Sequence, residues 1–179
     1  MDINEKRPQK RTETQMVPQP VKGESGLVQV DTTWGIIQPL KVREDVRTVD
    51  EIEVHEFQEK GLPIIDARTP GFYDVSTIPG AENIPHNEII ERMGELDRGQ
   101  PSIFFCNGPQ CPQSPSAIQN LLEAGYPVDK ILYYRGGMHD WVTLGLPIEN
   151  KNSKQDQGVE DSFPVRNWKR WKLFLHELL

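Results

Sequence analysis

The sequence predicts an α/β domain built on a parallel sheet covered by helices on both faces. Three observations lead there. Short apolar runs that do not alternate, Leu62–Asp66, Pro101–Cys106 and Ile131–Tyr134, read as strands buried on both sides. Segments bounded by helix start and stop signals separate them. Strands that alternate with helices belong to parallel sheets, because each crossover carries the chain back to the same end.

Taken in order, the core begins near Arg47. Thr48-Val49-Asp50-Glu51 fits a capping box with Thr48 as N-cap, and Gly61 closes a helix of about three turns. The strand Leu62–Asp66 follows. A second helix is expected from Asn87 through Glu88-Ile89-Ile90-Glu91-Arg92-Met93. The run Pro101–Cys106 places Cys106 as the last residue of its strand. Ser114-Pro115 then supplies an N-cap followed by proline at the first helical position. That helix carries Ala117, Ile118, Leu121 and Leu122 on one face and stops at Gly125. The strand Ile131–Tyr134, the pair Gly136-Gly137 and a short helix holding Trp141 complete the domain.

Outside this core the texture changes. Residues 1–26 carry few large apolar groups and three prolines; too little surface can be buried there to offset ordering, which predicts a mobile arm. Residues 27–46 read as an N-terminal strand extension of a domain spanning 27–150, with its core at 47–150. The apolar residues of 27–42 pair either within the chain or with a partner subunit. Residues 151–179 read as a linker followed by an amphipathic helix. Trp168, Trp171, Phe174, Leu175 and Leu178 share one arc, with Arg166, Lys169 and Arg170 opposite. Packing against the domain or a second subunit is the plainer use of such a stripe. A homodimer or another protein partner through 27–42 or 164–179, or an anionic membrane surface, is the alternative.

Composition excludes several functions. No stretch approaches ~18 apolar residues, so no transmembrane span is expected. The 20 basic against 27 acidic side chains give a net charge of −7, which argues against nucleic acid as a partner. The opening residues are polar and mixed in charge, so a cytoplasmic location is expected. That compartment keeps thiols reduced, favouring a catalytic or redox use of the two cysteines, Cys106 and Cys111, over a structural disulfide. No cluster has metal-ligand spacing, and the glycines fit neither a P-loop nor a dinucleotide fingerprint, so neither metal nor cofactor is expected. His55, His86 and His176 read as surface or packing residues.

The chemistry gathers at Cys106. Ligands of parallel sheets bind beyond the carboxyl ends of the strands. From Cys106 a loop, Asn107-Gly108-Pro109-Gln110-Cys111-Pro112-Gln113, leads to a helix starting at Ser114. Inward N–H groups and a helix N-terminus favour thiolate over thiol. Asn107, Gly108, Gln110, Cys111, Gln113 and Ser114 are therefore the candidate substrate-binding residues, around Cys106 as nucleophile. Asp66 and Arg68 either line the pocket or, the plainer reading, brace neighbouring loops. His139 lies near the strand ends, where an acceptor would approach.

Several blocks carry a resemblance. Ile64-Ile65-Asp66-Ala67-Arg68, Tyr73 and Thr77-Ile78-Pro79-Gly80-Ala81-Glu82-Asn83-Ile84-Pro85 are similar to the front half of a rhodanese domain. Ile103–Cys106 resembles its nucleophile strand, Leu121–Tyr126 the helix after it, and Arg135–Trp141 with Gly145-Leu146-Pro147 its closing signature. The resemblance spans roughly residues 48 to 148, in order. It implies a three-layer fold with a parallel sheet of about five strands. It also implies sulfurtransferase activity: a small-molecule donor gives a sulfane sulfur to Cys106 as a persulfide, and a thiol or other nucleophile removes it.

The loop departs from the family pattern. Where many members have arginine five residues after the cysteine, this chain has Cys111, and no lysine or arginine lies between Arg98 and Lys130. Dianionic thiosulfate then loses its charged clamp, as does phosphatase-type chemistry. In exchange there is a second thiol, which either acts as a resolving thiol toward Cys106 or fills the loop wall. Two alternatives to sulfur transfer therefore stand: a thiol redox protein using both cysteines, and a non-catalytic interaction module.

Overall fold

A computed structural model describes residues 19–20, 28–29 and 38–152. Most of the predicted arm (1–26) and nearly all of the predicted amphipathic segment (151–179) lie outside the described residues. Strands β1 (Gln19–Pro20) and β2 (Val28–Gln29) pair antiparallel with each other in a separate two-stranded ladder. Of the predicted extension at 27–46, residues 28 and 29 thus pair within the chain and apart from the main sheet.

That sheet has five strands, all parallel: β3 (Arg47–Val49), β4 (Ile64–Asp66), β5 (Glu82–Asn83), β6 (Ser102–Phe105) and β7 (Ile131–Tyr134), in the order β3-β7-β6-β4-β5. Three helices lie between them, α1 (Glu51–Lys60), α2 (Pro70–Val75) and α3 (Gln113–Glu123), and a fourth, α4 (Gly137–Thr143), follows β7. The predicted class, a parallel α/β sheet with helices on both faces, is the observed one.

Alternation along the strands divides the core in two. Ile65, Phe104, Ile131 and Tyr133 point to the layer of α3, where Ala117, Ile118 and Leu121 are buried. Ile64, Ile103, Phe105, Leu132 and Tyr134 point the other way, onto Val54 and Phe57 of α1 and Met138, Trp141 and Val142 of α4. Register keeps these sets in layers, with Phe104 paired to Ile65 on one side and to Tyr133 on the other. Each large side chain fully withdrawn from water contributes about 1.5–3 kcal/mol.

Several local expectations are corrected. Thr48 is not an N-cap; it lies in β3, and its hydroxyl donates to the Leu40 carbonyl at 2.5 Å. Asp50 caps α1 instead, its carboxylate accepting from the N–H groups of Ile52 and Glu53 at 3.1 Å. Gly61 closes the helix in the left-handed conformation, as expected. The segment from Asn87 forms turns and a single 3-10 turn at Met93–Glu95, not an α-helix. Only Ile89 of its first residues is fully buried, so one anchor rather than a stripe holds it. Helix α2, entered at Pro70, was not anticipated; none of its residues is buried, so it has no apolar face to read.

Chain connections explain where a site can form. From β4 the chain moves outward to β5, whereas from β6 it moves the opposite way to β7. Connections leaving two neighbours in opposite directions open a crevice at their carboxyl ends. The residues just past those ends are Ala67 and Arg68 after β4, and Cys106 and Asn107 after β6.

The Asp50 cap gives a direct check. Asp50→Ala should cost about 1 kcal/mol, as for other capping side chains, read as a lower urea midpoint with an unchanged slope.

Candidate active site

Cys106 follows β6 and continues its alternation, so its side chain falls on the α3 side, as Phe104 does. It is not the strand's last residue but the first beyond it. Helix α4 then fixes the peptide planes. The N–H of Met138 donates to the Cys106 carbonyl at 3.0 Å, and the N–H of His139 donates to the Asn107 carbonyl at 2.8 Å. Contact this close demands glycine on both sides. A Cβ on Gly108 (φ +146°) would come within 2.7 Å of the His139 Cβ. A Cβ on Gly137 (φ +54°) would run into the Cys106 carbonyl oxygen.

With the carbonyls held away, donors gather at the sulfur. The Ser114 hydroxyl donates to Cys106 Sγ at 3.0 Å. The N–H groups of Gly108 and Ser114 also face it, with the Cys111 thiol beside them. This corrects the predicted helix start: α3 begins at Gln113 after Pro112, with no side-chain cap. Ser114 is buried inside the first turn and spends its hydroxyl on the sulfur.

The electrostatics follow. Burial pushes the Cys106 thiol up, but the hydrogen bonds from Cys111, the Ser114 hydroxyl, and the N–H groups of Ser114 and Gly108 outweigh it and hold the pKa at about 7. Cys111 moves the opposite way. Its hydrogen bond to Cys106, then burial, then the neighbouring negative charge keep it firmly protonated. One sulfur carries the charge and the other carries the proton.

The remaining candidates take distinct places. Cys111 is buried, 3% exposed, and its N–H closes a turn onto the Gly108 carbonyl at 2.9 Å, so that amide is unavailable to the Cys106 sulfur. Gln113 Oε1 lies 3.4 Å from Cys111 Sγ. Gln110 is half-buried at the loop tip. His139 is half-buried, its Nδ1 2.8 Å from Asp140 Oδ1.

Asp66 and Arg68 are fully buried, and they brace the loops. Arg68 Nε and Nη2 donate to the Asp66 carboxylate at 2.9 and 2.6 Å, and Nη2 also donates to the Ser76 carbonyl at 2.5 Å. Its Nη1 donates to Asn107 Oδ1 at 3.1 Å. The Thr77 hydroxyl donates to Asp66 at 2.8 Å. A buried charge pair with its lone pairs and protons satisfied is tolerable, whereas either half alone is not. Through Asn107 this network ends one residue from the thiol.

Sequence reasoning missed the parts played by four residues. Asn83 donates to the carbonyls of Asp66 and Arg68 at 2.9 and 2.8 Å. Gln38 donates its N–H to the Pro109 carbonyl at 2.7 Å, while Arg135 Nη2 donates to the Gln38 carbonyl at 2.8 Å; the entering chain is laid across the cysteine loop. Tyr133 is buried beside Ser114 with its hydroxyl unpartnered, and burial and then the Cys106 charge push its pKa up. Asn83 and Arg135 left a trace in sequence, within the Ala81–Pro85 and Arg135–Trp141 blocks.

A parallel sheet with a low-pKa thiol in a donor-lined loop at its switch point defines a cysteine-centred α/β domain. Residues 50–144 match the family model of the rhodanese-like domain, and the chain belongs to that family. Over 85 residues it is 32% identical to a sulfurtransferase of Allochromatium vinosum, a stretch covering 48% of this chain and 76% of that one. Over 88 residues it is 33% identical to the HTH-type transcriptional regulator Rv0324 of Mycobacterium tuberculosis, covering 49% of this chain but only 38% of the regulator. The chain thus spans under half the length of that relative. The crystal structure of the BH2092 protein from Bacillus halodurans superposes with a TM-score of 0.53 at 23% identity, covering 71% of this chain and 89% of that one, which shows the fold. Among the described residues no helix is long and apolar enough to cross a membrane.

Two measurements check this geometry. The rate of Cys106 alkylation by iodoacetamide should rise with pH to a half-point near the pKa of about 7, and Ser114→Ala should move that half-point upward. Arg68→Met strands the Asp66 carboxylate in the interior and should cost about 3–5 kcal/mol in urea unfolding.

Proposed function

We propose that this domain is a sulfurtransferase that carries sulfane sulfur on Cys106. The observation supporting it most directly is the ring of donors on Cys106 Sγ: the Ser114 hydroxyl at 3.0 Å and the N–H groups of Gly108 and Ser114. Sulfur transfer needs a thiolate at neutral pH and a place for an anionic adduct, and this ring serves both.

In the first half-reaction the Cys106 thiolate attacks the outer sulfur of a donor such as thiosulfate. The new S–S bond forms as the donor's own S–S bond breaks, and sulfite leaves with the electron pair. Cys106 now carries a persulfide anion. In the second, a thiol or other nucleophile attacks that outer sulfur, and the Cys106 thiolate is the leaving group. A group held as a stable anion leaves readily, so the same pKa shift serves both directions.

The loop favours some donors over others. Between residues 99 and 129 there is no basic side chain, and Arg68 beneath the loop is committed to Asp66, Ser76 and Asn107. A dianion meets amides and hydroxyls alone, without an arginine fork. Donors of lower charge, such as protein or low-molecular-weight persulfides, suit this site better than thiosulfate.

Intact-mass measurement after exposure to a persulfide donor should show the addition of one sulfur atom to the wild-type chain and none to Cys106→Ser. Sulfur gained equally by the serine variant refutes the assignment. Thiosulfate should load the domain at least about tenfold more slowly than a monoanionic persulfide, the equivalent of one lost charge-assisted contact worth ~1.4 kcal/mol.

A further inference from the structure

The second cysteine makes and breaks no bond in that cycle, yet the loop delivers it to the first. Cys111 lies five residues along the chain, and the turn closed by its N–H onto the Gly108 carbonyl at 2.9 Å folds it back over Cys106. Both thiols are free, with exposures of 1% and 3%. The Cys106 sulfur is 3.4 Å from the Cys111 carbonyl oxygen, and the neighbouring Cys111 thiol helps to lower the pKa of Cys106. Cys111 has its own donors, the N–H groups of Asn107 and Gln113. A second thiol folded back toward the first, with two main-chain N–H groups of its own, is more than a filled loop wall requires.

We propose that Cys111 is a resolving thiol that discharges the Cys106 persulfide as hydrosulfide, leaving a Cys106–Cys111 disulfide. The inference rests on the proposed sulfur loading of Cys106 and deepens it, because it assigns an acceptor built into the same loop. An external thiol must enter the loop, while Cys111 already lies within it, its carbonyl oxygen 3.4 Å from Cys106 Sγ.

The step balances. The proton of the Cys111 thiol passes to the outer sulfur of the persulfide. The resulting Cys111 thiolate, held by the Asn107 and Gln113 amides, attacks Cys106 Sγ. The bond between Cys106 Sγ and the outer sulfur breaks, and hydrosulfide leaves with that electron pair. The outer sulfur is reduced by two electrons, and the two cysteines together supply them as the disulfide forms. An external dithiol of the thioredoxin class must then reduce the disulfide, returning two thiols and ending as a disulfide itself. Cys111 stays protonated while Cys106 is a thiolate, so the unloaded site is quiet. Moving negative charge onto an outer sulfur, and then neutralising it with a proton, lifts that restraint.

The test uses the full chain, fully reduced, exposed anaerobically to inorganic polysulfide, desalted and followed over time without added thiol. Wild type should first show one added sulfur. It should then release one hydrosulfide per chain and end two hydrogens lighter than the reduced protein, at a rate independent of protein concentration. Cys111→Ser, which keeps a hydroxyl donor in place, should gain the sulfur more slowly and hold it at least about tenfold longer until a thiol is added. A wild type that holds its sulfur as long as Cys111→Ser, or a discharge rate that rises with protein concentration, overturns the resolving role and leaves sulfur loading intact. If neither chain gains sulfur, the loading itself is refuted, and this inference with it.

Discussion

The site depends on how one stretch of main chain is gripped. Helix α4 offers the N–H groups of its first turn to the carbonyls of Cys106 and Asn107. Those peptide planes are thereby fixed, and the Gly108 amide that follows is left to face the sulfur. The grip works only because Gly108 and Gly137 allow backbone to lie on backbone. A hydrogen bond whose donor is already fixed costs no reorganisation when charge develops on the sulfur. The thiol's acidity is thus a property of the fold, set by a helix that never touches the sulfur.

The second support comes from below. The Asp66–Arg68 pair closes the carboxyl end of β4 and reaches β6 through Asn107. A cation in this position reads, in sequence, either as pocket lining or, more plainly, as a brace for neighbouring loops. The coordinates show its donors consumed by Asp66, Ser76 and Asn107, with 2% of its surface exposed. Arg68 therefore shapes the loop without lending it a mobile charge. Burying such a pair is costly unless every lone pair and proton is met. Thr77 and the Arg68 main-chain N–H meet the rest of the carboxylate, while Asn83 holds the main-chain carbonyls of both residues, which ties the turn after α2 and strand β5 to the same point.

Much of this was legible in the residues, for identifiable reasons. The β6 and β7 runs carry uninterrupted apolar side chains because both faces of the sheet are covered, and unbroken runs are what a sequence displays most clearly. The cysteine loop was legible because its chemistry is local. The misreadings have equally specific causes. Thr48 and Asp50 both offer capping oxygens two residues apart, and pairing of Arg47–Val49 with β7, a contact from across the chain, decided for Asp50. Ser114 looked like a cap because serine before proline usually is one. What displaced it was the demand of a sulfur eight residues earlier. The turns after Asn87 mimic a helix in composition but bury a single anchor. Long-range contacts such as Gln38 on Pro109 leave no periodicity or motif for a sequence to show.

One feature of the loop reaches beyond the domain itself. A cysteine loop of peptide dipoles and a hydroxyl, with no lysine or arginine between residues 99 and 129, offers little to fully charged tetrahedral oxyanions. Sulfate and phosphate, abundant in any cell, owe their grip on proteins largely to cations. Under the proposed function, a pocket of this kind stays open in their presence and selects among sulfur compounds by shape and directionality rather than by Coulombic pull.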